Sequence, residues 1–166
     1  LAWQTIIGGG NGDFNVQSQP VLATEIPNHA GVLFVGGGSG YESAHDALTG
    51  NVVWKNSVYT GLEKYQCDPT NLASPPAYFG VGGTVAYDPA TASLYVVGNN
   101  NTTANAFAQN VLLHLDGATG ATLGTVNFGA DQAGPGELNF SHTSVTLASN
   151  GLAYVGTGAT CDVPSW

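Results

Sequence analysis

The side chains in this sequence that could do chemistry are two cysteines, four histidines and a scatter of asparagines and aspartates. Cys67 and Cys161 fit no metal-ligand or Cys-x-x-Cys spacing, so they are either a disulfide or two separate thiols, and a Cys67 to Cys161 bridge is the expectation. N-glycosylation triplets begin at Asn100, Asn101 and Asn139, and together with the cysteines they point to a secreted, extracellular or periplasmic glycoprotein. His29, His45, His114 and His142 stand apart in sequence and make no zinc-binding pattern. His45 and His114 read as structural histidines of strands. The glycine run from Gly8 to Asp13 lacks both the Lys-Ser/Thr of a phosphate loop and the alternating acids of an EF-hand, so it reads as a plain loop. No Ser-His-Asp or Cys-His arrangement stands out, and no catalytic residue is assigned.

These residues sit in a chain of 166 residues with 24 Gly, 8% charged and 43% hydrophobic residues. Such a composition suits many short strands joined by tight turns. The formal charge is −9, and Lys55 and Lys64 are the only basic residues apart from histidine. A chain with no basic stripe is a poor match for nucleic acid or anionic membrane. No stretch reaches the roughly 18 apolar residues of a membrane span. The opening Leu-Ala-Trp-Gln-Thr has neither a basic leader nor an initiating Met, which suggests a processed chain or a middle piece.

An internal repeat supplies the elements that must position the polar residues. Val35-Gly36, Val97-Gly98 and Val155-Gly156 each end an apolar run, and each is preceded by another short apolar segment. Pro27-Asn28, Asp88-Pro89 and Asn150-Gly151 lie between the two segments as hairpin turns. The first two units continue through Asp46 to Gly50 and Asp116 to Gly120, an Asp-x-x-Thr-Gly turn, into a further strand. Four antiparallel strands per unit predict a propeller blade. Trp3 takes the place in a preceding blade that Trp54 takes after its own turn.

The string Asp46-Ala47-Leu48-Thr49-Gly50 followed by Trp54 resembles the blade signature of PQQ-like, quinoprotein-type β-propeller repeats, and Ala86 to Asn99 is similar to the segment of quinoprotein alcohol dehydrogenases that ends in Thr-Gly-Asn. The chain departs from that pattern at Gly124, where a Trp is expected, and at Val97, which stands for the Thr. The resemblance implies an all-β propeller arc of about two complete blades and two partial ones. Residues 1–18 would end a preceding blade, 19–60 and 77–129 would form blades, and 140–166 would begin another. It implies that Trp3 and Trp54 dock between neighbouring blades, that Asn99 is the residue to inherit a Ca²⁺-ligand role, and that the parent protein could hold pyrroloquinoline quinone (PQQ) and oxidise alcohols or sugars.

An arc leaves open edges, so the remainder of a longer polypeptide or partner chains should complete it. The turns at 27–31, 47–50, 88–92, 117–120 and 149–151 fall on one face. The long connections 5–18, 58–82, 98–109, 129–142 and 158 onward fall on the other, together with both cysteines and all three triplets. Function is expected on that second face. PQQ carries three carboxylates that need cationic partners, and two lysines are a thin supply; an abstracting base is not distinguishable among Asp13, Asp68, Asp131 and Asp162. A noncatalytic propeller that binds a protein, a glycan or another small molecule, or serves assembly, is the alternative.

Overall fold

A computed structural model describes residues 3–5, 18–38, 40–58, 81, 83–100, 109–128, 139–140, 143–156 and 158–159. Strands β1 (Val21–Ala23), β2 (Val32–Gly36), β3 (Tyr41–Asp46) and β4 (Val52–Ser57) form one antiparallel sheet in sequence order. Strands β5 (Ala86–Asp88), β6 (Ser93–Asn100), β7 (Gln109–Asp116) and β8 (Thr122–Phe128) repeat it. Strands β10 (Thr146–Leu147) and β11 (Ala153–Tyr154) pair as the start of a third, while β9 (Asn139–Phe140) pairs with β12 (Gly158–Ala159). The described residues contain no helix.

The turns explain why each sheet folds as a meander. Asp46 Oδ1 accepts the backbone N–H groups of Leu48 and Thr49 and the Thr49 hydroxyl, at 2.9 to 3.1 Å. Asp116 repeats the set with Ala118 and Thr119. Each turn closes on a glycine in the left-handed region, Gly50 at φ 75° and Gly120 at φ 71°, a conformation that costs a residue with a Cβ about 1 kcal/mol or more. Both third strands carry a bulge two residues before the turn, at Ala44/His45 and His114/Leu115.

The sheets stand side by side through their first strands, with β1 next to β5 and β5 next to β10. The backbone N–H of Gln19 donates to Thr84 Oγ1 at 3.0 Å, and that of Thr84 donates to Ser144 Oγ at 3.3 Å, so the same link steps from blade to blade. Successive four-stranded meanders that meet at their first strands make an arc of a β-propeller. The core is the seam between them. Val21, Phe34, Ala44 and Trp54 lie in one cross-strand row of the first sheet. Phe34 has its ring centroid 5.8 Å from both Trp54 and Tyr87 of the second sheet. Leu94, Val96 and Leu115 close the seam from the second sheet with no exposure. Each side chain buried this fully contributes roughly 1.5–3 kcal/mol.

Trp3 and Trp54 occupy equivalent places. Trp3 Nε1 donates to the Ala47 carbonyl at 2.9 Å, and Trp54 Nε1 donates to the Gly117 carbonyl at 2.8 Å. A Cβ on Gly50 or Gly120 would lie 2.5 Å from the corresponding indole, so each turn glycine gives the ring its seat. Register puts Gly124 opposite His114, as Trp54 is opposite Ala44. The bulk has changed strands there: His114 stacks on Tyr95 with centroids 4.6 Å apart and planes 3° apart, beside a residue with no side chain.

One expected equivalence shifts by a residue. Asp46 pairs with Val32 and Asp116 with Ser93, so Val35-Gly36 and Val97-Gly98 fall one position apart relative to their turns. A one-residue shift in a strand exchanges faces. Gly36 therefore faces Val81 and Glu42 in the seam, whereas Gly98 faces the backbone carbonyl of Val58 from the opposite sheet.

Candidate functional site

The two faces of the arc differ in how their polar groups are used. On the short-turn face the carboxylates are consumed by their own turns. Asp88 Oδ1 accepts the Ala90 N–H at 2.9 Å and Oδ2 accepts the Thr91 hydroxyl at 2.8 Å. Asp46 carries an additional partner, His29 Nδ1 at 3.0 Å. The His29 contact, with the Thr49 bonds, holds the Asp46 carboxyl down to about 2. The Thr91 and Thr119 hydroxyls lower Asp88 and Asp116 in the same direction.

The opposite face is organised by the turn from Gly37 to Gly40 between β2 and β3. The Gly37 carbonyl accepts the N–H groups of both Gly40 and Val81 at 3.0 Å, and the Gly40 carbonyl accepts that of Val58 at 2.9 Å. Val58 and Val81, the described ends of the connection between the first two sheets, are thus both tied to one hairpin. Both are buried in the seam. Ser18 ties the neighbouring backbone, since its hydroxyl donates to the Gly36 carbonyl at 2.7 Å and accepts the Gly36 N–H at 3.0 Å.

Glu42 lies just beneath this turn. Register sets it opposite Gly36 on β2 and Asn56 on β4. Its exposure is 0%, and neither carboxyl oxygen has a hydrogen-bond partner among the described residues. Burial pushes the carboxyl up to about 8, so it is neutral at pH 7. Sequence reading missed Glu42. The available signal was parity: in β3 the acid shares a face with Ala44, the small residue beside Trp54, and that face is the core one.

The residues singled out in sequence are placed unevenly. Trp3 and Trp54 sit in their seats on the Asp-x-x-Thr-Gly turns. Asn99 and Asn100, expected in a loop, continue β6 and pair with Asn110 and Gln109 of β7, because the ladder persists past Gly98. Asn139 is in β9, paired with Ala159. Asn101, Cys67 and Cys161 lie outside the described residues, as do Asp13, Asp68, Asp131, Asp162 and Lys64. His45 is a buried strand residue whose Nε2 is 3.0 Å from Ser43 Oγ. Among the described residues no group of three His, Cys, Asp or Glu side chains converges as a metal set, and no helix is long and apolar enough to cross a membrane.

No family model matches the chain, and no curated protein does. Among solved structures it is similar to the crystal structure of BamB from Moraxella catarrhalis, at 19% identity and a TM-score of 0.48, over 87% of this chain and 33% of that one. The chain therefore spans about a third of the length of that structure. Its class, a β-propeller arc, is defined by its own repeated meanders and by the tryptophan-seated seam between them.

Proposed function

We propose that this chain is part of a noncatalytic propeller that binds a protein or a glycan on the face marked by the Gly37 to Gly40 turn, Val58, Val81 and the β6–β7 strand ends. The observation that supports this reading is the asymmetry of the two faces. Short turns whose carboxylates bond their own backbone close one face, and long connections leave from the other. Between them, the Trp54 indole N–H is spent on the Gly117 carbonyl at the seam. Further blades, in the same polypeptide or in partner chains, complete the ring. A secreted or periplasmic setting, a Cys67 to Cys161 disulfide and glycans at Asn100, Asn101 or Asn139 belong to the same reading; peptide mapping of unreduced material tests the bridge.

The test uses the full-length protein on a glycan array and against candidate secreted proteins, with two variants. Replacing 101–108 by a short glycine turn should abolish binding, and altering Ala47-Leu48 in the short turn should leave it unchanged. The competing reading, a quinoprotein dehydrogenase with Asn99 on Ca²⁺, draws on the motif resemblance alone. Alcohol or sugar oxidation that depends on added PQQ and Ca²⁺ and is lost in Asn99→Ala would establish it in place of the binding reading.

A further inference from the structure

We propose that a proton held by Glu42 locks the seam between the first two blades at its Val58 and Val81 end, and that losing this proton frees both valines from the Gly37 to Gly40 turn. The inference concerns the regulation of the face proposed above for binding. Its test reads backbone hydrogen exchange, so it succeeds or fails whether or not a ligand binds there.

The geometry makes Glu42 a keystone. Its Oε2 lies 2.9 Å from the place where a Cβ on Gly36 would be, and Val81 fills the rest of that space. Val81 in turn donates its N–H to Gly37, and Val58 donates to Gly40, two residues before Glu42. Val58 and Val81 share one apolar cluster with Val96 and Val111 of the second blade. A neutral carboxyl can stay in such a place at modest cost, whereas a carboxylate with no partner there must recover water.

No facing group offsets the charge among the described residues. On its own face Glu42 has Gly36, Ala44 and Asn56 for neighbours, and Asn56 Nδ2 is already given to the Gly120 carbonyl at 2.6 Å. Asp46 shares that face at the far end of β3, engaged by His29 and Thr49. On the facing sheet the titratable side chain is Tyr87, stacked on Phe34. Tyr41 and Lys55 lie on the other face of the first sheet, with the Lys55 ammonium 4.0 Å from the Tyr41 ring centre. His45 is on that other face as well.

The experiment measures amide exchange of the whole chain by NMR from pH 6 to pH 10, with the Val58 and Val81 rates divided by that of Asp116. The Asp116 amide is bonded to the Ala121 carbonyl at 2.9 Å in the second blade's own turn, so the ratio cancels base catalysis of exchange. The ratio is expected to rise about tenfold per pH unit from pH 6 to about pH 8 in the wild type and to level off above it, and to stay flat in Glu42→Gln. A wild-type ratio that stays constant across this range overturns the proposal, and so does the same rise in Glu42→Gln. Equal acceleration of Asp116 also overturns it, because the charge would then unfold the arc rather than unlock one end. Should the variant fail to fold, the wild-type ratio still decides.

Discussion

Two carboxyl groups of the first blade respond to pH in opposite senses, and the environment of each fixes the sign. Asp46 is held down to about 2 by His29 and Thr49, below its usual value of 3.8. Its stabilising effect is complete above pH 4 and is lost as the pH falls through about 2. Replacing Asp46 by Asn should therefore flatten the acid limb of a thermal-melting profile between pH 4 and pH 2, with little change in slope above it. Glu42 runs the other way. Its carboxyl is raised by burial from 4.5 to about 8, so the folded state binds a proton that the unfolded chain has released. Stability should fall as pH rises from 4.5 to 8, and Glu42→Gln should remove that fall. At pH 7 the gain would be about 3 kcal/mol at most. Denaturant titrations of both proteins at pH 5 and pH 8 measure it, and identical slopes with pH in the two would refute the burial account.

Between strands, the repeated device is an indole seated on the next blade's turn. Trp54→Phe keeps an aromatic ring beside Phe34 but loses the bond to Gly117, and should cost about 1–2 kcal/mol. Trp54→Ala opens the seam and should cost about 3–5 kcal/mol in a denaturant melt. Gly120→Ala attacks the same contact from the other side, since its Cβ would press into the indole at 2.5 Å at a left-handed backbone position. A melting temperature unchanged by Gly120→Ala would mean that the indole is not seated there. Much of this was legible in the sequence, because Asp-x-x-Thr-Gly and the Trp after it are local signals with a local cause: one carboxylate caps its own turn and one glycine takes φ near +70°. The register within β6 was not legible. Val-Gly marks the end of an apolar run but not which side of the sheet the valine faces, and that depends on pairing with a strand more than ten residues away. Glu42 escaped for a related reason, since an acid between Tyr41 and Ser43 looks like a surface residue until its parity relative to Ala44 is known.

At the scale of the whole molecule, the third sheet shows where the arc continues. Thr143 binds both backbone groups of Gly156, as Ser18 binds those of Gly36. Tyr154 pairs with Thr146 as Phe34 pairs with Val21. Yet Leu152 and Tyr154 are 55% and 52% exposed, while Val32 and Phe34, in the same places of the first blade, are 0% exposed. A surface that is core in one repeat and open in another is an unfinished seam. The backbone links from Gln19 to Thr84 and from Thr84 to Ser144 run in the same direction from one sheet to the next. Electron microscopy of the native, full-length protein would show whether the blades close into a ring. A disc with a central channel is expected, with the Trp54 indole seated on the Gly117 to Gly120 turn between adjacent blades. Two sheets packed face to face as a sandwich, with no channel and with Trp54 away from that turn, would contradict it.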